Sequence, residues 1–267
     1  MTDPVIETLD GDGASLSWRP APWDDRALGV PTVEITALSG SPVLPALLAR
    51  FDALCAARGT GLATVRIAAA DRVAKRDLQA AGWQYVETSH PLRLAPIPAD
   101  LAALGPIGRR RVPVELATIA DLPALQAIAI AAFDHSRYHE DLRIHPARAQ
   151  ARHAAWIADT FARGDECLVH RDRAGEVVAL MTYRRRDDAA MLFLGGTRPG
   201  AELYAPMFWV GVIADLRERG VRAIDTRVSA ANLGAMRLHL ALGFSAHGCD
   251  LGFNKLYPNG ASLGSAP

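Results

Sequence analysis

The residues best suited to chemistry lie in the segment Val228–Phe244. Asn232, Ala235, His239 and Gly243 stand at positions i, i+3, i+7 and i+11, which places them on one side of a helix. Asn232 opens that helix, where its amide can cap the first turn or reach a ligand. Ala235 leaves room for a molecule to lie close, and His239 sets a group that titrates near neutrality one turn further on. The same spacing also describes an ordinary amphipathic helix, with the asparagine as cap and the histidine in a half-buried slot.

Two further clusters carry possible chemistry. The apolar run Met191–Leu194 ends in Gly195-Gly196, a pair that suits a bulge and close backbone approach. An exposed N–H there can hold the oxygen of a tetrahedral intermediate. Arg198-Pro199-Gly200-Ala201 then opens a long helix, and helix N-termini attract anions. Pro199 removes one donor, and Glu202 adds a negative charge where an anion would sit. The second cluster is Phe133-Asp134-His135-Ser136-Arg137-Tyr138-His139-Glu140-Asp141. Asp134, His139, Glu140 or Asp141 can relay a proton from an ammonium, and Arg137 can pair with a phosphate or carboxylate. A polar solvated loop has the same composition. His135 and His139 lack the H-E-x-x-H order, so no metal is expected.

The elements that must position these residues follow from periodicity. Arg111–Leu116 reads as a strand, Asp121–Phe133 and Pro146–Phe161 as helices, and Cys167–His170, Val177–Tyr183 and Met191–Leu194 as strands. A helix over Ala201–Arg219 stops at Gly220, Ala223–Val228 is a strand, Asn232–Leu242 a helix, and Phe244–Tyr257 closes as strand. The order β-α-α-β-β-β-α-β-α-β predicts an α/β fold with a mixed sheet flanked by helices. The first half repeats part of it. Shifted by 161 positions, Gly82 falls on Gly243, Asp71 on Asn232, Ala74 on Ala235 and Trp83 on Phe244. The positions matching Asn232 and His239 are Asp71 and Leu78, so the first copy lacks both the amide and the titratable group.

The Pro/Gly-rich stretch from Ala95 to Pro113 suggests a domain boundary. The expected organisation is a degenerate lobe over residues 1–95, a linker over 96–112, a complete lobe over 113–257 and a frayed tail over 258–267. Half of the 267 residues are hydrophobic, and 29 basic residues balance 29 acidic ones, which argues against nucleic acid as a partner. Three scattered cysteines make neither a disulfide framework nor a zinc site. The opening Met1–Gly13 has no leader pattern and no apolar run reaches membrane-spanning length, so a cytoplasmic protein without a membrane partner is expected.

The Asn232–Phe244 pattern after a strand resembles the last βαβ segment of the GCN5-related N-acetyltransferases, and the preceding elements fall in that family's order. Within it, the chain resembles the TDP-fucosamine acetyltransferases and their relatives in nucleotide-sugar amine acetylation. That likeness rests on Pro22-Trp23-Asp24-Asp25 with Gly29, Ala132–Tyr138, Trp156-Ile157, Gly200–Leu203 and the Asn232 motif. The resemblance implies a tandem fold with acetyl-CoA as cosubstrate and a small-molecule amine, an amino sugar among the candidates, as acceptor. It implies that Leu194, Gly195 and Gly196 meet the pantetheine and that Arg198, Gly200 and Ala201 meet the pyrophosphate, with Asn232 beside them. His239 stands where the family has a tyrosine that protonates the departing thiolate. Phe133, Asp134, Arg137, Tyr138 and Glu140 fall in the region that shapes acceptor entry. The departures at Pro199 and His239 leave a second reading, a non-catalytic two-lobed module that binds a ligand or partner in its inter-lobe cleft. A monomer or homodimer is consistent with either.

Overall fold

The computed structural model describes residues 4–11, 13–40 and 44–267. Met1–Asp3 and Asp12, part of the opening read as leaderless, lie outside the described residues. In chain order the elements are β1 (Glu7–Gly11), β2 (Ala14–Pro20), α1 (Pro22–Leu28), β3 (Thr32–Ser39), α2 (Leu44–Ala57), β4 (Leu62–Ala68), α3 (Arg72–Ala80) and β5 (Gln84–Leu94). Then follow β6 (Glu115–Leu116), α4 (Leu122–Ala132), α5 (Pro146–Arg163), β7 (Glu166–Arg171), β8 (Val177–Arg186) and β9 (Ala189–Thr197). The chain finishes with α6 (Ala205–Glu218), β10 (Ala223–Ser229), α7 (Leu233–Ala241), β11 (Ser245–Ala246) and β12 (Asp250–Leu256). The expected order of the second half is present. The strand foreseen at Arg111–Leu116 shrinks to two residues, because Pro113 has no N–H and Val112 N–H bonds Met207 O instead.

The chain forms two compact units: Met1–Ser89 with His135–Arg152 and Gly248–Pro267, and His90–Asp134 with His153–His247. These bounds differ from a cut near residue 95. The last strand, β12, pairs antiparallel with β4 (Asn254 opposite Thr64) and with the first part of β5 (Asp250 opposite Ser89), so the first unit is completed from the far end of the sequence. Residues 258–264 are a 3-10 turn with Leu263 fully buried beside Leu28, Leu62 and Tyr138, where a frayed tail was expected. Residues 96–112, expected as linker, contain the 3-10 stretch Leu101–Arg109, whose Leu101 joins the core of the second unit.

In the first unit the sheet runs β1-β2-β3-β4-β12 and then residues 84–89 of β5. One face packs Trp18, Val65, Trp83 and Phe253 against Phe51 of α2 and Leu78 of α3. In the second unit β10, β9, β8, β7 and β6 follow residues 90–94 of β5. β8 is buried on both faces, with a register shift at Val178. Ala179, Met181 and Tyr183 meet the core with Phe208 and Ile213 of α6, while Val177 and Leu180 meet Leu125 and Ile128 of α4 and Ile157 of α5.

The internal repeat extends well beyond the motif that suggested it. At the same offset of 161, α2 maps onto α6, β4 onto β10 and α3 onto α7, with identical boundaries. Asp71 Oδ1 accepts from Ala74 N–H at 2.9 Å, and Asn232 Oδ1 from Ala235 N–H at 2.9 Å. Gly82 and Gly243 close these helices with φ of 80° and 81°, a left-handed conformation that glycine adopts without a Cβ clash.

Candidate active site

β9 and β10 build the site by parting. Their parallel ladder covers only Ala223–Asp225 against Ala189–Met191, whereas β9 continues to Thr197 and β10 to Ser229. Beyond the ladder, Thr226 Oγ1 still donates to Leu192 O at 3.4 Å. On its other side β9 stays paired with β8 but bulges, since the register shifts between Met181/Gly195 and Tyr183/Leu192. Thr182 plugs the bulge: its Oγ1 accepts from Leu194 N–H at 3.0 Å and faces Leu194 O at 3.5 Å. The bond from Arg198 N–H to Val178 O fixes the alternation beyond it. Gly196 N–H then faces β8, and Gly195 N–H faces the side where β10 has departed.

The opening is a cleft of about 500 Å³ lined by Gly195, Gly196 and Thr197 of β9, Pro199 and Glu202 of the following loop, Trp209 of α6, and Asn232, Ala235 and Leu238 of α7 and its cap. Its base is closely packed. A Cβ on Gly195 would lie 2.4 Å from Met181 Cε and 2.7 Å from Trp209, and one on Gly196 would lie 3.1 Å from the Phe133 ring. The glycine pair is therefore needed for packing.

Several expected site residues meet at this cleft and others do not. Gly195, Gly196 and Asn232 line it. Leu194 turns its side chain into the core beneath α4 and α5, and its N–H belongs to Thr182, so it offers a pantetheine nothing. Arg198 points to Asp172 at 3.5 Å. Ala201 is buried and donates its N–H to Arg198 O, and Gly200 donates its N–H to Glu202 Oε1 at 2.8 Å. Phe133 leans on Gly196 and pairs with the His153 ring at 5.5 Å. Asp134 is the last residue of its segment in the second unit.

His239 differs most from expectation. It is only 4% exposed and does not line the cleft. Nδ1 lies 2.8 Å from Ala235 O, which makes it the protonated nitrogen, and Nε2 accepts from Trp209 Nε1–H at 3.3 Å. The ring stands edge-on to Trp209 and Phe244, and burial holds its pKa below the ordinary value. A neutral imidazole with both nitrogens engaged has no proton to give a leaving group. Trp209 was not foreseen as a site residue, because nothing in the pattern of α6 separates it from the other apolar positions that face the core.

Arg137, Tyr138 and Glu140 belong to the first unit, and Arg137 and Tyr138 are buried in it. Tyr138 is buried, and its hydroxyl donates to Asp24 Oδ2 at 2.7 Å. Arg152 Nε donates to Asp24 Oδ1 at 2.7 Å. Burial pushes the Tyr138 hydroxyl up to about 12. Arg137, 5% exposed, pairs with Glu34 at 3.4 Å and lies over the Tyr138 ring, and these neighbours raise its pKa. Glu140 stands 3.6 Å from His135 Nδ1, and His139 Nδ1 is 2.9 Å from Ser136 Oγ. Among the described residues no helix is long and apolar enough to cross a membrane.

A large mixed sheet flanked by helices, in a chain that carries one α/β pattern twice, is a fold like that of tandem GCN5-related N-acetyltransferases. The chain is similar in structure to a tandem protein of that fold from the clavulanic acid biosynthesis pathway, with TM-score 0.57 and 16% identity over 91% of this chain and 79% of the other. A GCN5-related N-acetyltransferase from Sphaerobacter thermophilus gives 0.57 and 17% identity over 93% and 82%. A protein of unknown function from Staphylococcus epidermidis gives 0.65 and 11% identity over 94% of each chain. No protein-family model and no curated protein sequence matches.

Proposed function

We propose that the second unit transfers an acyl group from a pantetheine thioester such as acetyl-CoA to the amine of a small molecule. The observation that carries this reading is the parting of β9 from β10 beside Gly195, with a cleft between strand and helix. A thioester arm laid there would be held much as a neighbouring strand is held. Placement of donor and amine together supplies much of the rate gain. The neutral amine attacks the thioester carbonyl, Gly195 N–H receives the oxyanion, the collapsing intermediate breaks the C–S bond and expels the thiolate, and the nitrogen passes its surplus proton to solvent or to the departing sulfur. A thiol of ordinary pKa near 8.5 departs as its anion without obligatory protonation, so His239 can keep its packed state. An amino sugar, as in the TDP-fucosamine acetyltransferases, is the narrower candidate for the acceptor. The test is thiol release from acetyl-CoA across a panel of amines that includes amino sugars. Amine-dependent release that Gly195→Val abolishes is the expected result.

A second reading, a non-catalytic module that binds a ligand or partner, is favoured by the closed ring of His239 and by the occupied N–H of Gly200. It predicts ligand binding in the cleft without thiol release for any amine.

A further inference from the structure

We propose that Glu202 sets the class of donor: its carboxylate fills the anion position ahead of α6, so the cleft grips an acylated pantetheine arm and gives the diphosphate of coenzyme A little hold. The proposal rests on the acyl-transfer reading above and narrows it.

The loop between β9 and α6 has few donors to offer. Arg198 N–H goes to Val178 O at 2.8 Å, Pro199 has none, and Ala201 N–H goes to Arg198 O at 2.9 Å. Tyr204 N–H goes to Ala201 O at 2.9 Å, Ala205 N–H to Glu202 O, and Pro206 has none. Gly200 N–H is held by Glu202 Oε1 at 2.8 Å. A helix N-terminus binds phosphate through free N–H groups and its positive end. Here a carboxylate of the chain already uses both, and Glu202 lines the cleft with its charge. The guanidinium of Arg198, in the same loop, points to Asp172 at 3.5 Å. The rest of the cleft has the opposite character: Gly195, Gly196 and Thr197 of β9 with Ala235 and Leu238 of α7 present backbone, small and apolar surface suited to an uncharged amide-bearing arm.

Calorimetric titration of coenzyme A and of pantetheine, each reduced, into the wild type, Glu202→Gln and Glu202→Ala tests this. The glutamine keeps an acceptor for Gly200 N–H without the charge, and the alanine frees the donor. Melting curves establish that both variants are folded. In the wild type the two ligands should bind within roughly threefold of each other, and in both variants the ratio should move toward coenzyme A by at least roughly fivefold. A ratio that moves less in the folded variants overturns the proposal, as does wild-type binding of coenzyme A more than about thirtyfold tighter than pantetheine. If the ratio moves but no amine accepts an acetyl group, the role of Glu202 stands and the acyl-transfer reading falls. If neither ligand binds, both fall.

Discussion

His239 gives both ring nitrogens to its neighbours, and that fixes its charge. Its folded pKa is lowered by burial, so the unfolded chain binds a proton more readily. The associated stability is complete above the unfolded value of about 6.5 and is lost as pH falls toward the folded value, at up to about 1.4 kcal/mol per pH unit. Replacing His239 by Phe should flatten this acid dependence, read as melting temperature from pH 7.5 to 5. An unchanged slope would show that the ring is charged or exposed. Asn232 separates two roles in the same way. Its Oδ1 caps α7, and Asp serves equally well as a cap. Asn232→Asp should therefore keep the melting temperature, while Asn232→Ala should cost about 1 kcal/mol in denaturant titration. Thr64 is a third case, with a buried hydroxyl that has no hydrogen-bond partner among the described residues. Thr64→Val should leave stability unchanged or raise it by about 1 kcal/mol, because no bond is lost and a desolvated oxygen is removed.

At the scale of elements, β9 is what the site depends on. A bulge near the glycine pair was legible, but it falls just before the pair, at Phe193–Leu194, and the plug that maintains it was not legible. Thr182 is an ordinary strand residue in sequence, and its role exists only once β8 and β9 are in register. Packing shows how little tolerance β9 has. Gly195→Ala would press a methyl into Met181 and Trp209, and chemical denaturation should report a loss of about 1–3 kcal/mol. The repeat was legible from four matched residues, because caps and left-handed glycines follow from local chemistry. The same reasoning could not tell His239 as an acid from His239 as packing, since its partner Trp209 lies thirty positions away on another helix. The contacts of the expected acceptor cluster were illegible for a related reason. Arg137 and Tyr138 look like recognition residues in sequence, yet their partners Glu34 and Asp24 are supplied by distant segments.

For the whole molecule, the division into units is written in strand pairing that no linear cut reveals. Leu263 illustrates it. A position in a Gly/Ser/Pro-rich stretch reads as dispensable, yet it is fully buried among residues from three other segments. Leu263→Ala should cost about 2–5 kcal/mol, and hydrogen exchange should show the loss in the first unit. Protection lost in the second unit alone would contradict this placement. The position of β12 between β4 and β5 also bears on how the protein is made. About 180 residues separate the end of β4 from the start of β12, so at ordinary synthesis rates the ribosome needs roughly 10 to 40 s to deliver the missing strand. During that interval the nascent chain carries two unpaired strand edges, the kind of surface that chaperones cover.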